Sequence, residues 1–209
     1  MTRTSLLFII VWAVPVLASS QGFNGGVLAG ANMSQVDGDR LAGYKKINGV
    51  FGVFVNRKFN NVLRAQLEMN YLGKGSKQAA NPDSGVTYFR KISLHYLELP
   101  LMLQIWWEKY NVHVDLGISY GVLLSQREED EHGDQVLVGP FKATEFGFIL
   151  GINYEFYEQL SVALRFGYSI LPVANTAHII AWHSYGGSYN NLLSFTVQYQ
   201  FENLNFSNE

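Results

Sequence analysis

Cysteine is absent from the 209-residue chain, which excludes a disulfide framework, thiolate chemistry and a lipid-bearing N-terminal cysteine. Charged residues are also scarce, at 15% of the chain, against about 25% in typical soluble proteins. The net charge of −2 argues against a nucleic-acid partner. After residue 20, no apolar run approaches the ~20 residues that a membrane helix needs. The sequence therefore does not predict a helical membrane protein.

The start of the chain has the features of a secretory signal peptide. Arg3 supplies a short positive region, residues 6–17 form an apolar run, and residues 18–20 form a small-residue cleavage site. The run is too short for a membrane anchor, and Pro15 interrupts it. We predict that the mature chain starts at Gln21.

The chain is rich in segments where apolar and polar residues alternate with period 2. In residues 62–75, VLRAQLEMNYLGKG, apolar residues such as Leu67 alternate with polar residues such as Gln66. A strand with this pattern has one apolar and one polar face. Seven further segments show the pattern, some less regularly. The eight apolar rows span residues 27–33, 47–55, 63–71, 97–105, 112–122, 146–156, 160–170 and 193–201.

The connections between these segments alternate in length. Long polar connections and tight turns follow one another along the chain. The long ones span residues 35–45, 75–90, 126–140 and 171–190, and the turns span residues 56–61, 106–110 and 157–159. Long loops at one end and short turns at the other, with an even strand count, are typical of outer-membrane barrels. We predict one domain after signal peptide 1–20, residues 21–209, folded as an all-β, eight-stranded antiparallel up-and-down transmembrane β-barrel, with strands to about 202, a short C-terminal tail, and both termini on the periplasmic side.

Three features indicate that the polar face points into the barrel and the apolar face meets lipid. Lysine avoids the middle of the predicted strands, the polar face is rich in glycine, and aromatic residues gather near strand ends. The lysines are at positions 45, 46, 58, 74, 77, 91, 109 and 142. The glycines are Gly30, Gly52, Gly117, Gly121, Gly147, Gly151 and Gly167. The predicted aromatic girdles are Trp106, Trp107, Tyr110, Phe156, Tyr157, Tyr199 and Phe201 on the periplasmic side and Tyr71, Tyr120, Phe146 and Tyr168 on the outer side.

A secreted soluble barrel of the lipocalin kind, with an apolar interior, is the alternative. It explains the alternation equally well, but it explains neither the absence of mid-strand lysine nor the aromatic girdles.

Several segments resemble the PorT-type outer-membrane beta-barrel family of Bacteroidetes. They are GGVLAGANMS, LEMNYLGKG, LHYLELPLML, VDLGISYGVLL, LRFGYSI and VQYQF, and the resemblance covers Gln21 to Phe201. The resemblance implies an eight-stranded barrel in the outer membrane and an accessory role in type IX protein secretion, and the family has no catalytic motif to carry over. The tail ENLNFSNE departs from the family, whose barrels usually stop close to the final aromatic residue.

Ionisable residues on the polar face form the first candidate site. They are Arg64, Glu68, Glu98, His113, Asp115, Glu145 and Arg165. We predict a lumen charge network of Arg64, Glu68, Glu98, Asp115 and Arg165, because an eight-stranded barrel is only wide enough for side chains and buried charges need partners. Arg165 is expected to pair with Glu68, Glu98 or Asp115, with Gly117 and Gly167 leaving space for its guanidinium. A narrow ion or proton path is the functional alternative.

Two loops carry further candidates. The acidic run Glu128, Glu129, Asp130, Glu131 and Asp134 could bind a hard cation such as calcium, but its spacing matches no EF-hand loop, and a solvated loop tip is favoured. The possible loop interaction site is His178, Trp182, His183 and Tyr185. His183 and Ser184 are adjacent and so make a poor catalytic pair in a strand.

The sequence thus predicts a non-enzymatic protein of the cell outer membrane with a side-chain-filled lumen, which acts through its extracellular loops or periplasmic rim. A small pore and an outer-membrane enzyme with a loop-borne site are the alternatives. The expected partners are the lipid bilayer and proteins at the loops or rim. We expect no catalytic residues, cofactor, metal or nucleic acid.

Overall fold

The computed structural model describes residues 22–38, 43–78, 89–130, 132–135, 141–174 and 187–201. Within these ranges the chain is built almost entirely of strands, and no helix is long and apolar enough to cross a membrane. The strands are β1 (Phe23–Asp37), β2 (Lys46–Lys58), β3 (Leu63–Gln78), β4 (Arg90–Trp107), β5 (Val112–Asp130), β6 (Gly133–Gln135), β7 (Thr144–Tyr157), β8 (Leu160–Ser169) and β9 (Tyr189–Gln200).

Eight of these strands close into one antiparallel ring. β1 pairs with β9, with Ala29 opposite Val197, and β4 pairs with β5 along almost its whole length. The order around the ring is β1, β2, β3, β4, β5, β7, β8, β9. The predicted eight-stranded antiparallel barrel is confirmed. The short strand β6, which lies in a predicted loop, pairs with the last residues of β5 and forms a small hairpin beyond the ring.

Short and long connections lie at opposite ends of the barrel. The end that carries the tight turns β2–β3, β4–β5 and β7–β8 is called the short-turn end here, and the opposite end is the long-loop end. Asn60 Oδ1 accepts hydrogen bonds from the backbone N–H groups of Val62 and Leu63, both at 2.8 Å, and so fixes the β2–β3 turn. Asn111, with φ of 53°, completes the β4–β5 turn in the left-handed conformation that asparagine tolerates.

Toward the long-loop end the strands are longer than the sequence predicts. β3 continues to Gln78, β4 begins at Arg90 and β5 continues to Asp130, all within predicted loops. At ~3.3 Å per residue and a tilt near ~40°, the 19 residues of β5 rise about 48 Å, whereas the apolar band of such barrels is about 25 Å tall. The apolar alternation ends where these strands leave that band, and this is why the sequence predicts loops there.

The polar face of the strands points inward, as predicted. In β3, 47% of the surface of Leu67 is exposed but only 2% of Gln66, and the same contrast recurs around the ring. Most of the predicted girdle residues are exposed on the outside, but two are not. Trp106 is buried inside the barrel, which corrects its assignment to the periplasmic girdle, and Tyr168 is only half-exposed and stacks on Tyr189 at 5.9 Å.

Candidate functional site

An arginine between two carboxylates occupies the middle of the barrel. Arg165 of β8 donates from Nη1 to both carboxylate oxygens of Glu68 of β3, at 2.9 and 3.0 Å. Its Nε donates to Asp115 Oδ2 of β5 at 3.1 Å, and its Nη2 lies 2.9 Å from the same oxygen. The side chains of both carboxylates are fully buried. This group, called the central cluster below, joins three strands through charge-assisted hydrogen bonds.

Amide side chains complete the central cluster. Gln66 and Asn70 donate to the two oxygens of Glu68 at 2.6 and 2.7 Å, and Asn153 donates to Asp115 at 2.7 Å. These amides share the inward face of their strands with the charged residues, so the period-2 pattern could have identified them. They supply the further hydrogen bonds that a buried ion pair needs to offset its desolvation.

The space for the guanidinium comes from a different glycine than predicted. A Cβ on Gly151 would lie 2.7 Å from Arg165 Cγ, so this position has room for the arginine only as glycine. At Gly117 and Gly167, which were expected to provide the space, the nearest side chains are those of Met102 and Leu192. The difference arises because Gly151 lies directly opposite Arg165 in the β7–β8 register.

A second group of charges lies nearer the long-loop end and is called the upper cluster below. Lys74 Nζ lies 3.2 Å from Glu98 Oε1 and 3.0 Å from Glu145 Oε1, and all three side chains are buried. Ser169 and Asn190 donate to the oxygens of Glu145 at 2.7 and 2.8 Å. The sequence pattern predicts Lys74 at a strand end or in a loop. In the structure, the longer β3 carries it inside the barrel, on the same face as Glu68.

The predicted charge network is therefore divided. Arg165 binds Glu68 and Asp115, whereas Glu98, a predicted partner of Arg165, binds Lys74. Arg64 belongs to neither cluster. It lies near the short-turn end, with its Cζ 3.6 Å from the ring centroid of Trp106.

Apolar side chains fill the interior beside the upper cluster. The buried group consists of Leu28, Val36, Val50, Phe54, Leu72, Ile92, Leu94, Tyr96 and Leu192. At the same end, Asn32 and Ser34 of β1 donate to the carbonyl groups of Gly73 and Gly75 of β3, both at 2.9 Å. These bonds bypass β2 and draw the outer part of β3 against β1, so the interior is narrow at the long-loop end.

The acidic run in the third long connection is not a free loop tip along its described part. Glu128 accepts from Arg90 at 2.5 Å and Glu129 lies 3.3 Å from Lys91, so both pair with β4. Asp130 Oδ1 accepts from the backbone N–H of His132 at 2.7 Å. Glu131 and the side chain of Asp134 lie outside the described residues. In the part of the chain that the structure describes, no group of three or more His, Asp or Glu side chains is placed to hold a metal ion.

Other sequence predictions also fall outside the described ranges. His178, Trp182, His183 and Tyr185, the possible loop interaction site, are among these residues. So are the signal-peptide residues 1–20 and the tail 202–209.

Comparison with known proteins identifies a family and two structures with a similar fold. Residues 17–175 match the model of a family described as outer membrane protein beta-barrel domain. Neisserial surface protein A is 14% identical, with a TM-score of 0.52, and the alignment covers 87% of this chain and 100% of that one. The attachment invasion locus protein Ail of Yersinia pestis, in complex with the heparin analogue sucrose octasulfate, is 12% identical, with a TM-score of 0.50 and the same coverage. At this identity the two structures support the fold alone. A comparison with curated proteins found no match.

Proposed function

Because the chain belongs to the outer membrane protein beta-barrel domain family, we propose that it is a non-enzymatic, non-conducting barrel that acts through the surfaces at its two ends. The family and the fold establish an outer-membrane barrel in contact with lipid. The proposal adds three points to what the family and the fold establish. They are the closed interior, the absence of enzymatic activity and the role of the end surfaces.

The main support for a closed interior is the ion pair between Arg165 and Glu68. Their strands, β8 and β3, are four places apart in the ring of eight, so this ion pair crosses the interior between opposite walls. The upper cluster and the apolar group fill the next section toward the long-loop end. A barrel of eight strands has little interior space beyond what side chains fill. Together these groups leave little room for a continuous column of water.

Planar-bilayer recording tests the closed interior. We expect the purified mature protein to give no steady ion current, because an ion would have to break the central cluster to pass. The same preparation should shift in gel mobility on heating, which shows that the barrel is folded. A stable open channel from heat-modifiable protein would contradict the proposal.

We also propose that residues 1–20 are removed and that the short-turn end faces the periplasm. The sequence of the first twenty residues and the usual position of short turns in such barrels support this arrangement. N-terminal sequencing of protein recovered from the outer-membrane fraction should begin at Gln21. A chain that keeps its apolar N-terminus in that fraction would contradict the processing step.

A more specific hypothesis is that the protein has an accessory role in protein secretion. Its support is the resemblance of segments such as YLELPLML to PorT-type barrels. Purification from native outer membranes should then recover a secretion component in stoichiometric amount. Recovery of the barrel alone under mild detergent would count against this role and leave the non-conducting barrel unaffected.

A further inference from the structure

A cavity opens inside the barrel at the short-turn end, below the central cluster. Its empty volume is about 340 Å³, including the part open to solvent. Its lining includes Arg64 of β3, Trp106 of β4 and His113 of β5, together with Glu155 at the end of β7 and Glu158 in the β7–β8 turn.

Two nitrogen atoms at this cavity have hydrogens but no acceptor. Arg64 Nε and Trp106 Nε1 are buried, and neither has a hydrogen-bond partner among the described residues. Both groups can only donate, so the missing partner is an acceptor. Buried donors are rarely left unpaired, because the lost hydration costs free energy. This side of the cavity is therefore complementary to an oxygen-bearing group.

Arg64 also differs from the other lumen cations discussed above. Arg165 and Lys74 each contact two carboxylates, whereas Arg64 forms no ion pair within the described ranges. Its guanidinium lies over the ring of Trp106, which itself stacks on His113 with 4.1 Å between ring centroids. The stacking fixes the orientation of the charge without neutralising it. Glu155 and Glu108 act on this charge only from beyond ion-pair distance. A carboxylate ligand would supply the missing acceptor through a direct charge-assisted hydrogen bond.

The negative charges in the cavity lining limit which carboxylate ligands fit. Glu155 is half-buried and Glu158 is exposed. Glu155 interacts with Arg64 from beyond ion-pair distance, and neither glutamate forms an ion pair with another described residue. A simple anion bound at Arg64 would be repelled by these two carboxylates. A ligand with an ammonium group next to its carboxylate would complement both the arginine and the glutamates.

We propose that this cavity binds a zwitterionic α-amino-acid group, with its carboxylate at Arg64 and Trp106 Nε1 and its ammonium group at Glu155. The site lies below the central cluster and does not depend on whether the barrel conducts ions. It gives the short-turn end a small-molecule site in addition to the surface role proposed above.

NMR of the folded mature barrel in detergent tests the site. The probe is the indole N–H signal of Trp106, assigned by its loss in Trp106→Phe, and the titrants are L-alanine, alaninamide and propionate. We expect L-alanine to shift this signal saturably, and alaninamide and propionate to bind at least ~10-fold more weakly, because each lacks one of the two charges. No saturable shift with L-alanine, or an equal shift with propionate, would overturn the proposal.

Two variants assign the roles of the charges. Arg64→Gln should abolish the response to L-alanine, and Glu155→Gln should weaken L-alanine binding ~10-fold without weakening propionate. Arg57→Gln is the matched control, because Arg57 is an exposed arginine near the same end of β2 and does not line the cavity. If the gel shift on heating shows that Arg64→Gln is not folded, the Glu155→Gln variant alone provides the test. L-alanine binding unchanged in the folded variants would refute the assignment.

Discussion

Replacing Arg165 with alanine will lower the midpoint of the heat-induced gel shift more than a substitution at a loop or surface arginine. The change leaves Glu68 and Asp115, both fully buried, without their counter-charge. Removing one partner of a buried ion pair typically costs about 3–5 kcal/mol, because the remaining charge cannot be rehydrated. The amides of Gln66, Asn70 and Asn153 would still donate to the carboxylates, but they carry no charge. The midpoint should be measured at neutral pH in one detergent for all variants.

Arg165→Ala is compared with a surface control and with a variant that has no charge in the central cluster. Arg127→Ala removes an exposed arginine that lies 3.6 Å from Glu129, and surface pairs contribute only about 0–1 kcal/mol. The triple variant Arg165→Met, Glu68→Gln, Asp115→Asn removes every charge of the central cluster and should be more stable than Arg165→Ala. An Arg165→Ala barrel as heat-resistant as the wild type would show that the cluster does not stabilise the fold.

Arginine on the outward face will destabilise the barrel by a different mechanism. Leu67→Arg on β3 and Leu150→Arg on β7 place a charge in the middle of the exposed apolar rows of these strands. Near the bilayer midplane such a charge costs about 2–4 kcal/mol. The two sites lie on strands three places apart in the ring, so their effects should add. The free energy of unfolding in urea, measured in lipid vesicles, reports the cost.

Leu67→Ala is the matched control, because it removes the same side chain from the lipid face without adding a charge. It should cost clearly less than Leu67→Arg in vesicles. The difference should shrink in detergent micelles, where an arginine reaches water more easily. Equal destabilisation by the alanine and arginine variants in vesicles would mean that Leu67 does not face the apolar part of the bilayer.

Part of this molecule is determined by local sequence. Period-2 alternation assigns each side chain to a face, and the scarcity of mid-strand lysine indicates that the polar face is the inner one. The same rule applied beyond residue 71 also places Lys74 on the face of Glu68, and applied to β4 it places Trp106 on the face of Glu98. The two predictions are wrong for different reasons: the apolar row of β3 ends before Lys74, and Trp106 is adjacent to the exposed Trp107.

Closure of the barrel determines which buried charged side chains form pairs. Counting residues from the turns places Arg165 and Asp115 at one height, and the structure brings them together. The same counting also made Glu98 a partner of Arg165, whereas Glu98 binds Lys74 on the adjacent strand. Residue counts along separate strands fix height only approximately. Which side chains meet across the interior depends on the register of every strand pair and on which strands face each other when the ring closes, and these are properties of the whole sheet.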